Sequence, residues 1–195
     1  MVNAQERLNT TYTKREKESI KELDISNQNL EGALTIQDFP NLESIKCGNN
    51  NLTSIELLNL PKLTYFHANN CQLNYIIITN CPEINELNIA NNLLTDTNFL
   101  TNLNQEKLTH LSIHSNNFQD QDLSFLSQFT NLEKLFIDNH SREKLNQNIY
   151  NRFTGSLQPL HNLTNLKWIN IANTNIGSGL EHLPEGFQKI CLSNS

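Results

Sequence analysis

The sequence predicts an α/β solenoid of stacked repeats, and three observations carry that prediction. A stretch of the form apolar, two others, apolar, one other, apolar begins at Ile20, Leu42, Leu63, Ile84, Leu108, Leu132, Leu166 and Phe187. Leu42 to Leu63 and Leu63 to Ile84 are both intervals of 21 residues, and a fixed period in this range marks a repeat architecture. Pro40, Pro61 and Pro82 keep the same period, each two residues before a start. Proline has no N–H and forces an extended neighbour, so it fits the approach to a strand outside the hydrogen-bonded ladder. Finally, Asn50, Asn92 and Asn116 all stand at the ninth place of their units. A buried amide there can donate and accept, satisfying the turn backbone of neighbouring repeats.

The elements follow in order. Residues 1–19 are polar, with Lys14 to Glu18 all charged, and read as a leader or partial cap. Residues 20–195 form about eight units, the last incomplete. Within each unit the fourth and sixth places are apolar and alternate with polar ones, the period-2 pattern of a half-buried strand. The fourth row is Leu23, Ile45, Phe66, Leu87, Leu111, Leu135, Ile169 and Ile190; the sixth is Ile25, Cys47, Ala68, Ile89, Ile113, Ile137, Ile171 and Leu192. On the return path Leu123, Leu126 and Phe129 are three apart, which suits a short helix or 3₁₀ turn. The interval from Leu132 to Leu166 is 34 residues, and its surplus is placed at Ser141 to Pro159, as a projecting loop. The final unit stops at Ser195, its ninth place, which leaves Phe187, Ile190 and Leu192 partly open. The expectation is that the natural chain continues or that this end associates with another chain.

The charge is −6 from 14 basic and 20 acidic residues, and no basic stripe marks a nucleic-acid surface. The N-terminal stretch has no apolar core of a signal peptide, and the longest aliphatic run, Ile76 to Ile78, cannot span a bilayer. A cytoplasmic protein is expected. Its four cysteines then read as thiols rather than a disulfide set, and the Thr-containing sequons at Asn9, Asn51 and Asn162 as incidental. Asn is frequent, 33 residues; outside the ninth place most are expected to be exposed, many attributable to biased codon usage.

The pattern L-x-x-L-x-L-x-x-N-x-L resembles the leucine-rich repeat family, over roughly Ile20 to Ser195. Leu23-Asp24-Ile25-Ser26-Asn27, with Leu30-Glu31-Gly32-Ala33-Leu34, is similar to fungal intracellular members. Asn151-Arg152-Phe153-Thr154-Gly155-Ser156-Leu157 resembles the turn and return path of plant-type repeats. The resemblance implies a right-handed solenoid with a concave parallel β-sheet, short helical or irregular convex segments, and binding of other proteins. The chain departs from the family at its ninth places, where Gln28, Cys71, His140, Thr174 and Ser195 replace Asn.

Alternate strand residues share a face, so the third, fifth and seventh places project from the concave sheet. Most are small or polar. Tyr65, His67, His110, Phe136 and Trp168 are not, and aromatic side chains are the usual anchors of a protein interface. They are the candidate partner-binding residues. His110 and His114 have the spacing of a helical zinc pair but fall on a strand, ~13 Å apart, too far to share one ion. Both read as solvated surface histidines, His114 within reach of an exposed ion pair with Asp138. No Cys-x-x-Cys pair, nucleophile elbow or phosphate loop appears, so no metal, cofactor or catalytic residue is expected. Protein recognition through the concave face is the predicted function. The alternative is a regulatory or substrate-selecting arm of a larger signalling enzyme, a kinase or ubiquitin ligase, whose catalytic part lies outside this chain.

Overall fold

Each of the eight apolar stretches forms a three-residue strand at its third to fifth places. A computed structural model describes residues 2–192. In chain order the elements are strand β1 (Val2–Asn3), helices α1 (Ala4–Thr11) and α2 (Lys14–Ser19), then β2 (Glu22–Asp24), β3 (Leu30–Ile36), β4 (Ser44–Lys46), β5 (Asn51–Leu58), β6 (Tyr65–His67), β7 (Tyr75–Thr79), β8 (Glu86–Asn88), β9 (His110–Ser112) and β10 (Lys134–Phe136). Helix α3 (Arg142–Asn146), β11 (Thr154–Ser156), β12 (Trp168–Asn170), β13 (Asn175–Ser178) and β14 (Lys189–Cys191) complete the chain.

The recurring strands β2, β4, β6, β8, β9, β10, β12 and β14 pair in that order as one parallel sheet. Their register puts Glu22, Ser44, Tyr65, Glu86, His110, Lys134, Trp168 and Lys189 in a single row. The fourth-place side chains from Leu23 to Ile169 and the sixth-place ones from Ile25 to Ile171 are all buried. In the last unit Ile190 packs against the core only partly, and Leu192 is 56 % exposed. Ser193 and Ser195, the seventh and ninth places of that unit, lie outside the described residues.

The return path changes character along the solenoid. In the later units it holds 3₁₀ turns at Asn98–Asn102, Ser124–Leu126, Gln158–Leu160 and Leu180–His182, as the Leu123, Leu126, Phe129 spacing predicts. In the first units it is more regular than expected: β1, β3, β5 and β7 form a second parallel sheet. The cause is visible in Leu34 and Ile36, Ile55 and Leu57, Ile76 and Ile78, apolar pairs two apart that are buried against the core. That is strand periodicity, which a helical turn cannot accommodate. β11 and β13 form a separate two-stranded pair.

Helix α1 lies against β3 and buries Ala4 and Leu8 in the common core. Asn3 caps it by accepting from Glu6 N, and a reciprocal Thr13–Glu16 capping box starts α2. Among the described residues no helix is long and apolar enough to cross a membrane.

Asn50, Asn92 and Asn116 share one hydrogen-bonding pattern, and Asn151, which the sequence assigned to the excursion, joins them. Asn50, Asn92 and Asn116 are buried. Each donates its amide to the sixth-place carbonyls of its own and the preceding unit, as Asn92 does to Ile89 O at 3.0 Å and Ala68 O at 2.9 Å. Each also accepts a turn N–H from the preceding unit, at Leu30, Leu73 and Leu94. In the unit starting at Leu132 the same position is filled by Asn151, not His140. Asn151 donates to Ile113 O and Ile137 O and accepts from Asn116 N. The surplus of the 34-residue interval therefore sits at 140–150, between strand and ladder, and includes α3. Residues from Asn151 onward, placed in the excursion by the sequence, return to phase: Phe153 and Leu157 are buried. Cys71 substitutes in its own unit, its thiol directed to Cys47 O at 3.6 Å.

Nor are the other asparagines incidental. Asn27, Asn49, Asn70, Asn91, Ser115 and Asn173 hold the eighth place with φ between 53° and 57°. Left-handed backbone is a conformation that Asn tolerates better than most residues. Asp38, Asn59 and Asn80, again 21 apart, do the same two residues before the prolines. Side-chain amides then link unit to unit, Asn91 to Asn70 at 2.7 Å and Asn70 to Asn49 at 2.8 Å.

Candidate protein-binding face

The five residues singled out on the sheet face do not make one patch. Tyr65 and His67 lie on β6, His110 on β9, Phe136 on β10 and Trp168 on β12. Four strand steps separate Tyr65 from Trp168, ~19 Å at the usual spacing. Between them the third row carries Glu86, His110 and Lys134.

The β6 patch is a hydrogen-bonded chain. Tyr65 Oη is 2.6 Å from His67 Nδ1, and His67 Nε2 is 2.9 Å from Glu86 Oε1. The two rings stack with centroids 3.8 Å apart, and Lys46 Nζ lies 6.0 Å from the Tyr65 centroid. Burial lowers the His67 pKa below the ordinary histidine value, with Glu86 opposing the fall. Burial also raises the Tyr65 pKa. The hydroxyl–imidazole–carboxylate chain holds the three side chains in one arrangement on the sheet face. Glu86 was not singled out from the sequence. Its signal was its third-place position, directly across from Tyr65 in the register.

The second patch is apolar. Phe136 and Trp168 are diagonal neighbours across β10 and β12, with ring centroids 5.1 Å apart at 73°, an edge-to-face pair. Lys189 Nζ sits 4.4 Å over the Trp168 ring. The indole Nε1 is buried and has no acceptor among the described residues. His110 lies nearer this patch than the first, one strand from β10. Its Nδ1 meets Thr109 Oγ1 at 2.9 Å, and burial lowers its pKa.

Two histidine readings are corrected. His114 is not a solvated surface group: burial, with the charges of His140 and Lys144, lowers its pKa to about 3. Nor is it the partner of Asp138. That carboxylate is buried and bonded instead to His140, Nδ1 to Oδ2 at 2.7 Å. Position 140 follows Asp138 by two, so the inserted loop turns the imidazole back over the acid. The three side chains form the one grouping of His, Cys, Asp and Glu with metal-holding geometry found among the described residues.

No family model matches the chain, and no curated protein matches it. Solved structures do. Internalin C2 of Listeria monocytogenes superposes with a TM-score of 0.56 at 19 % identity, over 93 % of this chain and 84 % of that one. The leucine-rich repeat domain of LRIM1 gives 0.59 at 14 %, over 92 % and 68 %. The fold is a leucine-rich repeat solenoid. The plant peptide hormone receptor RGFR1, solved in complex with RGF2, gives 0.51 at 18 %, over 86 % of this chain and 34 % of the receptor.

Proposed function

We propose that this chain recognises a protein partner through the outer face of its eight-stranded sheet. The observation that carries this reading is the Phe136–Trp168 edge-to-face pair, held half-buried on a polar surface. Large rings already ordered by each other lose little side-chain freedom on binding, and Trp and Tyr dominate interface energetics. The Tyr65–His67–Glu86 chain, pre-set by its hydrogen bonds, serves as a second contact. A partner touching both must span at least ~19 Å of sheet. The leucine-rich repeat fold supports the reading in general terms, since stacked repeats present extended recognition surfaces. The segments Leu23–Asn27 and Leu30–Leu34 support a place near fungal intracellular members. We take the compartment to be the cytoplasm, on the four free cysteines, of which Cys47 and Cys71 are buried with raised pKa.

The test is affinity capture with the parent and with the triple variant Tyr65→Ala, Phe136→Ala, Trp168→Ala, each shown folded by circular dichroism. The expected result is a defined partner held by the parent and lost by the variant. A folded triple variant that holds the same partner equally well refutes the assignment of this face.

A further inference from the structure

We propose that His114, Asp138 and His140 form a site for one divalent transition-metal ion of the zinc class. The site stands at the ends of β9 and β10. There His114 and Asp138 occupy the seventh places of adjacent strands, and Ser115 N donates to Asp138 O at 2.9 Å, fixing the two turns together. One potential ligand atom from each of the three residues lies within 4.8 Å of the others. The two imidazole rings are already in contact, centroids 4.3 Å apart.

The observation that points to a ligand is the carboxylate. Asp138 is 1 % exposed, its Oδ2 is taken by His140, and its Oδ1 has no hydrogen-bond partner among the described residues. A buried acceptor left unmet is costly, and a bound cation is one standard resolution of such an atom. The ion pair with His140 accounts for one oxygen only. It leaves Oδ1 and the neighbouring His114 unexplained, and a cation shared by all three accounts for each.

The donor set selects the metal. Two imidazole nitrogens and one carboxylate oxygen suit zinc, cobalt or nickel, whereas calcium and magnesium favour all-oxygen shells. Bonds of roughly 2.0–2.1 Å require donors about 3.4 Å apart in a tetrahedron, so the set must contract on binding. His140 supplies the movement, because its side chain is 47 % exposed and it begins the inserted loop. Ser115 Oγ, 3.3 Å from both His114 Nδ1 and His140 N, steadies the two histidines from outside. One charge opposes the ion: Lys144 of α3, whose Nζ donates to Asn92 O and Ser115 O.

Cobalt(II) titration of the metal-free 195-residue chain, followed by visible absorption, tests the site. The parent should take up one equivalent with a tetrahedral-type spectrum, and zinc(II) should displace it. His140→Ala and His114→Gln should each weaken uptake by about tenfold or more, while His182→Ala, at a distant surface histidine, should not. Circular dichroism of the metal-free variants confirms that they are folded. Zinc should also raise the melting temperature of the parent and not of His140→Ala, since a ligand of the native state stabilises it. A parent with no saturable cobalt spectrum, or a folded His140→Ala with affinity within tenfold of the parent, overturns the proposal.

Discussion

Replacing Asn151 with alanine tests the register of the ladder across the inserted loop. The Asn151 amide donates to Ile113 O at 3.1 Å and Ile137 O at 3.4 Å, and accepts from Asn116 N at 3.1 Å and Phe118 N at 3.5 Å. The residue is 1 % exposed, so water cannot replace those contacts. Truncation strands two N–H groups and the Ile137 carbonyl, while Ile113 O keeps the Asn116 amide at 3.0 Å. A buried group that loses its partner costs about 1–3 kcal/mol. Counting the two stranded N–H groups and discounting the long Ile137 contact gives a loss of about 2–6 kcal/mol, a large share of a stability of ~5–15 kcal/mol. Urea denaturation followed by circular dichroism measures it. If the array melts in stages, the midpoint of the stage containing β10 and β12 is compared. Asn146→Ala, exposed on α3, is the control and should stay within about 0.5 kcal/mol of the parent. If Asn151→Ala costs under about 1 kcal/mol, no better than the general run of substitutions, then the ladder does not pass through Asn151 and the loop is misplaced.

Other outcomes follow from the same register and face. Leu87→Ala, in the middle of the inward stack, should cost about 2–5 kcal/mol in the same assay; a loss below about 1 kcal/mol would mean that Leu87 does not point inward. The His67 ring protons should titrate below the ordinary histidine pKa by NMR, because burial outweighs the Glu86 carboxylate. Glu86→Gln removes the group that favours the imidazolium, so it should push that midpoint lower still; an upward shift would contradict the geometry. The folded-state pKa of His67 is depressed, so the unfolded chain takes up its proton first. Its contribution to stability is present above the unfolded value near pH 6.5 and is lost as pH falls.

Most of the solenoid was legible because its determinants are periodic. Third to fifth places became strands in every unit, and the fourth and sixth rows became the core as far as Ile169 and Ile171. What was missed is what periodicity cannot carry. The inserted loop could be counted but not positioned, since His140 and Asn151 both follow the strand of that unit. Only the spacing of Asn151 to the apolar Phe153, matching Asn92 to Leu94 and Asn116 to Phe118, favoured the later residue. Left-handed turns at Asn49, Asn70 and Asn91 are backbone facts that composition alone reads as excess asparagine. On the face, row membership identified the aromatic side chains. The two-patch arrangement depended on diagonal reach between Phe136 and Trp168 and on Glu86, which as an ordinary polar residue gave no signal by itself.

The change in the return path governs where the solenoid can bend. Where strands ladder along both edges, as in β2–β4–β6 and β3–β5–β7, backbone hydrogen bonds impose the same spacing of ~4.8 Å front and back. Successive units there are slabs of even thickness. Beyond β7 the front edge keeps that spacing, while the rear edge carries 3₁₀ turns joined only by the Gln121–Phe153 bridge and the short β11–β13 pair among the described residues. Those units have fewer backbone bonds to fix their rear spacing, so they are the ones that can take up the per-repeat rotation that curves a solenoid. The doubly laddered part bears Tyr65 and His67, and the part with 3₁₀ turns behind it bears Phe136 and Trp168.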